Sequence, residues 1–443
     1  MRATRAVLAL GIALAPGALA AARAEEVPVT LAEALALAGQ ANPDLQAASA
    51  RVDAQAARTE SVRRMGRPRL GLSMAWSRTD LPAGVFANKL NAGQLTMADF
   101  DVARINDPGA LDHLGTNLSL ELPLDVFRKV GNMANAMAAY ADAASAATRD
   151  EAQEIRLGVT EAYRRAEVAG RAVEVTARVL DAARAREAEI EARIEAGSAL
   201  KADLLRARAR RREREADLAE RRGQQRMALA SLARLLGAPA GTSYVPTEGP
   251  PAVTPLEGDE AAWVEGALRQ RPALEMARRR ADAASAFVKH EKNGLLPDAL
   301  VFGQLWDHRI DGSKGNQSWA VGVGLRWTAF DPSRSAREAT ATAEQRAATL
   351  DAKAASDQVR LEVALCYRRA VSARERHAAA AGGLDEGREA LRVVHERRQS
   401  GMATLTDELE TETAALGAAL QEIGAAAEVA IADAALRRAA GEI

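Results

Sequence analysis

The sequence predicts a mainly helical protein that carries a small set of membrane-type strands, laid out as a helix–strand–strand–helix–helix unit used twice. Three observations lead there. The first is composition: 443 residues are 48% hydrophobic and 27% charged but only 3% aromatic. So few Phe, Trp and Tyr side chains cannot anchor several compact cores, because aromatics supply much of the buried area that offsets chain entropy. Ala, Leu, Arg and Glu fill the chain instead, a mixture suited to long helices whose small residues allow close approach. The second is placement: Trp76, Phe86, Phe100, Phe127, Phe302, Trp306, Trp319, Trp327 and Phe330 fall in two windows, 68–128 and 297–330. Gly, Pro and Asn gather there and the Ala/Arg/Glu pattern stops, so the windows read as strands interrupting helices. The third is a long-range repeat, described below. A net charge of −1 leaves no excess of Lys and Arg to neutralise phosphates and argues against a nucleic-acid binder.

Taken from the N-terminus, Arg2 and Arg5 precede the apolar run Ala6 to Ala15, and Ala22-Arg23-Ala24 stands just before Glu25. This fits a secretory signal peptide over 1–24 with a small-x-small cleavage site after Ala24, and predicts export. Cleavage there removes Arg2, Arg5 and Arg23 and no acid, taking the net charge of −1 down by three to −4. No later stretch approaches the roughly 20 uninterrupted apolar residues of a membrane-spanning helix, so a membrane role would need strands. Cys366 is the only cysteine, which excludes an intramolecular disulfide, a thiolate zinc cluster and a cysteine at the cleavage site to carry a lipid. It reads as packing in an Ala-rich helix.

The repeat holds one offset and then another. Asn42-Pro43-Asp44-Leu45 and Arg271-Pro272-Ala273-Leu274 lie 229 residues apart, as do Asp53 and Asp282, and Pro68 and Pro297. Further on the offset is 204, pairing Tyr163-Arg164-Arg165 with Tyr367-Arg368-Arg369, Leu180-Asp181 with Leu384-Asp385, Gly197 with Gly401, Asp203 with Asp407 and Gly237 with Gly441. The difference lies inside the strand windows: the first has a long polar loop, Arg78 to about Asp112, and the second a short one, Arg309 to Gly315. The expected domains are a first repeat over 25–237, a Pro/Gly/Thr-rich linker over 238–258 and a second repeat over 259–443.

Strands are expected at about 68–78, 113–128, 297–308 and 316–330. Trp319, Val321, Val323, Leu325 and Trp327 alternate with Ala320, Gly322, Gly324 and Arg326. Eight steps of about 3.3 Å span about 26 Å, with a tryptophan at each end, as in the aromatic girdles of a lipid-embedded strand. Leu118, Leu120, Leu122 and Leu124 repeat the pattern, as do Leu70, Leu72, Met74 and Trp76; Phe302 and Trp306 fall on the face opposite Val301 and Leu305. Four strands cannot close a barrel and lipid tolerates no open edge, so three copies pooling twelve strands would satisfy both constraints. The competing reading is a small soluble sheet packed on the helices. The Val-Gly-Val-Gly run at 321–324 lacks the Lys-Ser/Thr of a phosphate loop.

The helices need the most length. No proline interrupts 129–196 or 333–400, and at about 1.5 Å per residue each helix would reach about 100 Å, far beyond a bilayer core of about 30 Å. Shorter helices over about 45–66 and 200–235 would run alongside. A soluble coiled-coil rod explains the helices but leaves signal, duplication and girdled strands unconnected. The five histidines (113, 290, 308, 377 and 395) show no His-Glu-x-x-His spacing, so neither an enzyme, a dedicated metal site nor a cofactor is expected.

Thr30-Leu31-Ala32-Glu33-Ala34-Leu35, Asn42-Pro43-Asp44-Leu45, the two strand-opening prolines and the Arg-x-x-x-Gly runs at 193–197 and 397–401 together resemble the TolC-like outer-membrane efflux factors. In order they cover about residues 28–441. The resemblance implies a homotrimer with one twelve-stranded barrel in outer-membrane lipid and a long periplasmic α-helical tunnel. It also implies docking to a periplasmic adaptor protein and an inner-membrane pump that supplies the energy, and export of small molecules such as drugs or metal ions. Gly197 and Gly401 match the hairpin turns of the periplasmic entrance, with Arg193 and Arg397 beside them as docking residues. Pro68 and Pro297 match the points where the chain enters the barrel, and Trp319, Trp327 and Trp76 its aromatic girdle. Asp407 and Glu410, three residues apart on one helix face, match the acidic constriction, and Asp203 the acidic position of the other hairpin. Three copies would ring the opening with carboxylates, favouring cations and raising some carboxyl pKa values by like-charge proximity.

Where some members lock the entrance with a tyrosine and an arginine, this chain has Arg398 and Ala403, leaving the mode of closure open. The copies also differ in charge: Arg206, Arg208, Arg210, Arg211, Arg212 and Arg214 follow the first turn, Asp407, Glu408, Glu410 and Glu412 the second. The basic helix is expected either to support the acidic one or to meet the adaptor, against the alternative of a solvated charged face. An exported helical scaffold that binds envelope proteins and conducts nothing is the competing function.

Overall fold

A computed structural model describes residues 25–198, 200–239, 241–249 and 252–443; the expected signal peptide lies outside them. The elements are β1 (Glu25–Val29), α1 (Leu31–Ala41), α2 (Pro43–Arg64), β2 (Arg69–Thr79), α3 (Pro82–Asn91), a 3-10 turn (Met97–Phe100), α4 (Val102–Asn106), β3 (Leu111–Leu124), α5 (Lys129–Glu195) and α6 (Lys201–Leu235). There follow β4 (Thr242–Pro246), α7 (Glu260–Gln270), α8 (Pro272–Asn293), β5 (Asp298–Ile310), β6 (Asn316–Arg326), α9 (Arg334–Gln399) and α10 (Leu405–Ala440).

The duplication is written into these bounds. The pairs α1 and α7, and α2 and α8, start and stop 229 residues apart, and α6 and α10 start 204 apart. The short helices α1 and α7 were not expected. Pro43 and Pro272 cut each from its successor, since a proline has no amide hydrogen to continue the ladder but fits the first turn of the next helix. The Asn42-Pro43 and Arg271-Pro272 motifs have a further use. Asn42 Nδ2 donates to the Leu235 carbonyl (2.9 Å), and Arg271 Nη1 donates to the Arg438 carbonyl (2.9 Å), so each motif receives the end of a helix of its own repeat. A Cβ on Gly237 would stand 2.5 Å from the Ala41 carbonyl oxygen, and one on Gly441 3.1 Å from Arg271 Cα, which is why both positions are glycine.

The chain forms two compact units, each drawing on both repeats: one takes in the chain up to Pro43, Ile155–Leu256 and Arg369–Ala435, the other Asp44–Glu154, Glu257–Arg368 and Leu436–Ile443. In the first unit β1 pairs in parallel with β4, so the expected linker 238–258 contains a strand. A core of Val29, Ala34, Ala38, Val159, Ala162, Tyr163, Ala166, Leu232 and Leu236 lies beneath. Tyr163, the one large aromatic there, donates its hydroxyl to the Val29 carbonyl (3.1 Å) and accepts from the Glu248 amide (3.3 Å); burial pushes its pKa up. Thr30 and Glu33 close a capping box at the start of α1, and the Thr30 amide and hydroxyl hold the Glu33 carboxyl below its usual range. By length and composition α10 passes as a membrane helix. Two of its acids pair within the unit: Arg374 with Asp433 (2.7 Å) and Arg369 with Glu428 (3.4 Å).

The second unit holds an antiparallel sheet in the order β2-β3-β5-β6. Two strands stop earlier than expected. β3 ends at Leu124, because Asp125 turns to accept from the amides of Val130 (3.0 Å) and Gly131 (2.7 Å) at the start of α5. β6 ends at Arg326, and the following Asp331 accepts from the amide and hydroxyl of Ser333 just before α9: Ser333, then Arg337, hold its carboxyl down at about 2. The segment read as a loop over 78–112 is folded. Pro82 starts α3, Phe86 meets Phe100 edge to face at 5.8 Å, and Lys89 binds Asp99 at 2.7 Å. Val85, Ala92, Leu111 and Ile310 form its small core. Cys366 is half-buried.

Candidate functional site

Both hairpins of the first unit turn by the same backbone device. Gly197 (φ 71°) and Gly401 (φ 79°) adopt the left-handed conformation that costs glycine little. The residue after each donates back across the turn: the Ser198 amide to the Arg193 carbonyl (2.8 Å), and the Met402 amide to the Arg397 carbonyl (2.8 Å). This pattern satisfies helix-end carbonyls. The Arg-x-x-x-Gly spacing is therefore the spacing of a helix stop, with the arginines in the last turn where a cation meets the helix dipole favourably.

Beyond the turns the hairpins part company. The N-cap of α6 is Leu200, which offers no side-chain hydrogen bond, and among the described residues Asp203 pairs with Arg206 at 3.6 Å. At the start of α10 the Thr404 amide and hydroxyl donate to the Asp407 carboxylate (2.8 and 2.7 Å), and the Asp407 amide donates to the Thr404 hydroxyl (3.2 Å). That reciprocal pair caps the helix. It also holds the Asp407 carboxyl below its usual range, so within one chain the pull at this residue is opposite to the expected like-charge increase. Glu410 is exposed and makes no ion pair or hydrogen bond among the described residues.

Sequence reasoning missed the most buried charge of the region. Glu408 is fully buried. Its Oε1 accepts from Arg186 Nη2 (2.7 Å) and meets His395 Nδ1 (2.8 Å), while its Oε2 contacts Arg398 Nε. Arg186 also reaches Glu412 (3.4 Å), and Arg398 reaches Glu189 (3.7 Å). One carboxylate thus gathers cations from α5 and α9, which suits a buried charge that must be paired. The repeat contained the signal: positions 398 and 408 correspond at the 204 offset to Ile194 and Leu204, both half-buried, so Arg398 and Glu408 stand where the first copy is apolar. Ala403, also half-buried, adds no polar group.

The basic run of α6 does support α10, through neutral acceptors. Arg210 Nη2 donates to the Leu409 carbonyl (3.2 Å) and Arg214 Nη2 to the Thr413 hydroxyl (3.0 Å). Arg208 pairs with Glu191 (2.5 Å) and Glu187 (3.2 Å) of α5 and Arg211 with Glu187 (2.6 Å); Glu191, then Glu187, raises the Arg208 guanidinium pKa, and Glu187 that of Arg211.

In the second unit the register places Leu70, Leu72, Met74 and Trp76 beside Leu114, Leu118, Leu120, Leu122 and Leu124, with Val301, Leu305, Trp319, Val321, Val323 and Leu325, on one sheet face. That face is bare: Leu72 is 69% exposed, Val323 74% and Trp319 75%. The opposite face carries Ser73, Asn117, Ser119, Gln304 and Ser318, with Phe302 and Trp306 among them. Phe302 explains the first glycine of the Val-Gly-Val-Gly run, since a Cβ on Gly322 would stand 2.8 Å from its ring. Trp76 and Trp319 lie within strands, whereas Trp327 sits one residue past β6 and donates its indole N–H to the Leu295 carbonyl (2.9 Å). Pro68 and Pro297 immediately precede β2 and β5.

The model of the family described as outer membrane efflux protein matches residues 34–238 and 263–442. The chain belongs to this family. Its members are outer-membrane efflux channels of the TolC-like kind and not enzymes. Among solved structures this efflux protein is similar to a membrane protein from Pseudomonas aeruginosa, at 20% identity over 93% of each chain with a TM-score of 0.77. It is also similar to the Campylobacter jejuni CmeC outer membrane channel, at 15% identity over 93% of this chain and 85% of that one, TM-score 0.77. The open state of the Neisseria gonorrhoeae MtrE outer membrane channel gives 18% identity, 93% and 88% coverage and a TM-score of 0.73. No curated protein matches.

Proposed function

We propose that this efflux protein works as a homotrimeric channel-tunnel, carrying drugs, metal ions or similar small molecules from a periplasmic adaptor and an inner-membrane pump to the exterior. The carrying observation is the four-stranded sheet with a bare apolar face and two edge strands, β2 and β6, of 11 residues each. An unpaired edge is not tolerated in lipid. Equal-length edges suit pairing between neighbouring copies, and three copies give twelve strands, with Trp76, Trp319 and Trp327 at the interfaces and Pro68 and Pro297 at the barrel entrance. In this reading the chain is exported with cleavage near Ala24 and no lipid anchor, and its repeats run over 25–237 and 259–443 about the 238–258 segment.

At the periplasmic end, Asp407 and Glu410 from each copy, with Asp203 behind them, form the acidic constriction. Gly197, Gly401, Arg193 and Arg397 present the hairpin ends to the adaptor, with the flank of 206–214. Glu408 takes the part of a clamp, holding Arg398 of one hairpin and Arg186 of the other.

The test is extraction from the outer membrane, measurement of oligomer mass and single-channel recording in planar bilayers. A conducting trimer is expected; a soluble periplasmic monomer that conducts nothing would overturn the proposal. Because Asp407 also caps α10, E410A is the cleaner probe of the constriction. It is expected to raise conductance and weaken cation preference, and unchanged selectivity would remove Glu410 from the constriction.

A further inference from the structure

The chain has five histidines in 443 residues, and two of them meet in its four-stranded sheet. His113 Nε2 lies 3.0 Å from His308 Nδ1, with the rings stacked at 5.2 Å between centroids and 26° between planes. The meeting is built by the register. His308 stands directly opposite Gly115, two residues along β3 from His113 and on the same sheet face. A Cβ on Gly115 would fall 3.0 Å from His113 Cε1, so the missing side chain is what lets the His113 ring lean along its strand to its partner. Ser77 is opposite His113 on the outer side, and Asn316 opposite His308.

We propose that His113 and His308 form a binding site for a divalent transition-metal ion that prefers imidazole and tetragonal geometry, copper or nickel. Metal–imidazole bonds of about 2.0–2.1 Å to two nitrogens 3.0 Å apart subtend about 90° at the ion. That is the angle between neighbouring ligands in a tetragonal complex. The ring that donates the present hydrogen bond moves its proton to its other nitrogen, so that both facing nitrogens offer lone pairs. Among the described residues no third His, Cys or carboxylate joins the pair. Water fills the remaining positions beside the two half-buried imidazoles, and the ion exchanges readily. A purely structural hydrogen bond between neutral imidazoles is the rival reading.

The experiment is titration of the detergent-solubilised full chain with copper(II) chloride, read by electron paramagnetic resonance with pulsed detection of imidazole nitrogens. One saturable ion per chain with a two-imidazole signature is expected. H113Q and H308Q should each weaken binding at least tenfold and leave a single-imidazole signature, while H377Q leaves both unchanged. G115A keeps both imidazoles but displaces the His113 ring, and should also weaken binding; circular dichroism checks the sheet in every variant. Absence of the two-imidazole signature in the unaltered protein would overturn the proposal, as would unchanged binding in H113Q and H308Q or in G115A.

Discussion

The hairpins that turn at Gly197 and Gly401 share a backbone and differ in chemistry. Each stops its long helix with a left-handed glycine and a hydrogen bond back to an arginine carbonyl. Around the turn, the first has Leu200 as an N-cap without a side-chain hydrogen bond and apolar Ile194 and Leu204, while the second has the Thr404–Asp407 capping box and, matched to Ile194 and Leu204, the Arg398–Glu408 ion pair. The lesson is that the repeat conserves what the backbone requires and varies what fastens each hairpin to its surroundings. The second is fastened through a buried carboxylate that also takes Arg186 from α5; the first is fastened by arginines on neutral acceptors, Arg210 on the Leu409 carbonyl and Arg214 on the Thr413 hydroxyl.

Removing that carboxylate should have the largest effect. In E408A, Arg186 and Arg398 lose their buried partner, and breaking such a pair costs on the order of 3 kcal/mol, less whatever the partly exposed guanidiniums recover from water. Hydrogen exchange in the first turns of α10 should accelerate by more than tenfold, with faster trypsin cleavage near Gly401. The double variant R398I/E408L installs the apolar chemistry of the first hairpin and should recover much of the loss. Exchange in E408A as slow as in the unaltered protein would show that the clamp fastens nothing.

A smaller effect is expected from the cap. T404A should destabilise the start of α10 by about 1 kcal/mol, and L200T, which places a threonine three residues before Asp203, should stabilise α6 by up to a similar amount. Amide exchange at Asp203 and Asp407 measures both, and a fall in stability with L200T would refute the equivalence of the two helix starts.

The smallest effect is a pH dependence confined to the second hairpin. The Asp407 carboxyl has a lowered pKa in the folded chain, so its contribution is present above the ordinary carboxyl value of about 4 and is lost as pH falls through the lower folded value. Between pH 7 and pH 5 the cap should hold, and only in stronger acid should the first turn of α10 fray. Amide exchange against pH, with T404A removing the dependence, checks the sign.

The sequence alone determined the long helices, the four strands of the larger sheet and the duplication, because each rests on a local or periodic property. An absence of proline permits a continuous helix, alternation assigns sheet faces, and a fixed offset survives in an Ala-rich chain. It also placed the Gly197 and Gly401 turns, since a left-handed residue has few alternatives to glycine. Other features depend on which distant segments meet. β1 and β4 are recognisable only once paired, because five residues containing a proline carry little pattern. The folded 78–112 segment needed the Lys89–Asp99 and Phe86–Phe100 contacts, and α1 and α7 needed their helix-end partners. Glu408 read as one acid among Asp407, Glu410 and Glu412, since helical spacing says which face a residue shares and not what lies against it. Only the tertiary structure could select it, by enclosing its carboxylate among Arg186, Arg398 and His395, and only the strand register could bring His113 over Gly115 to His308.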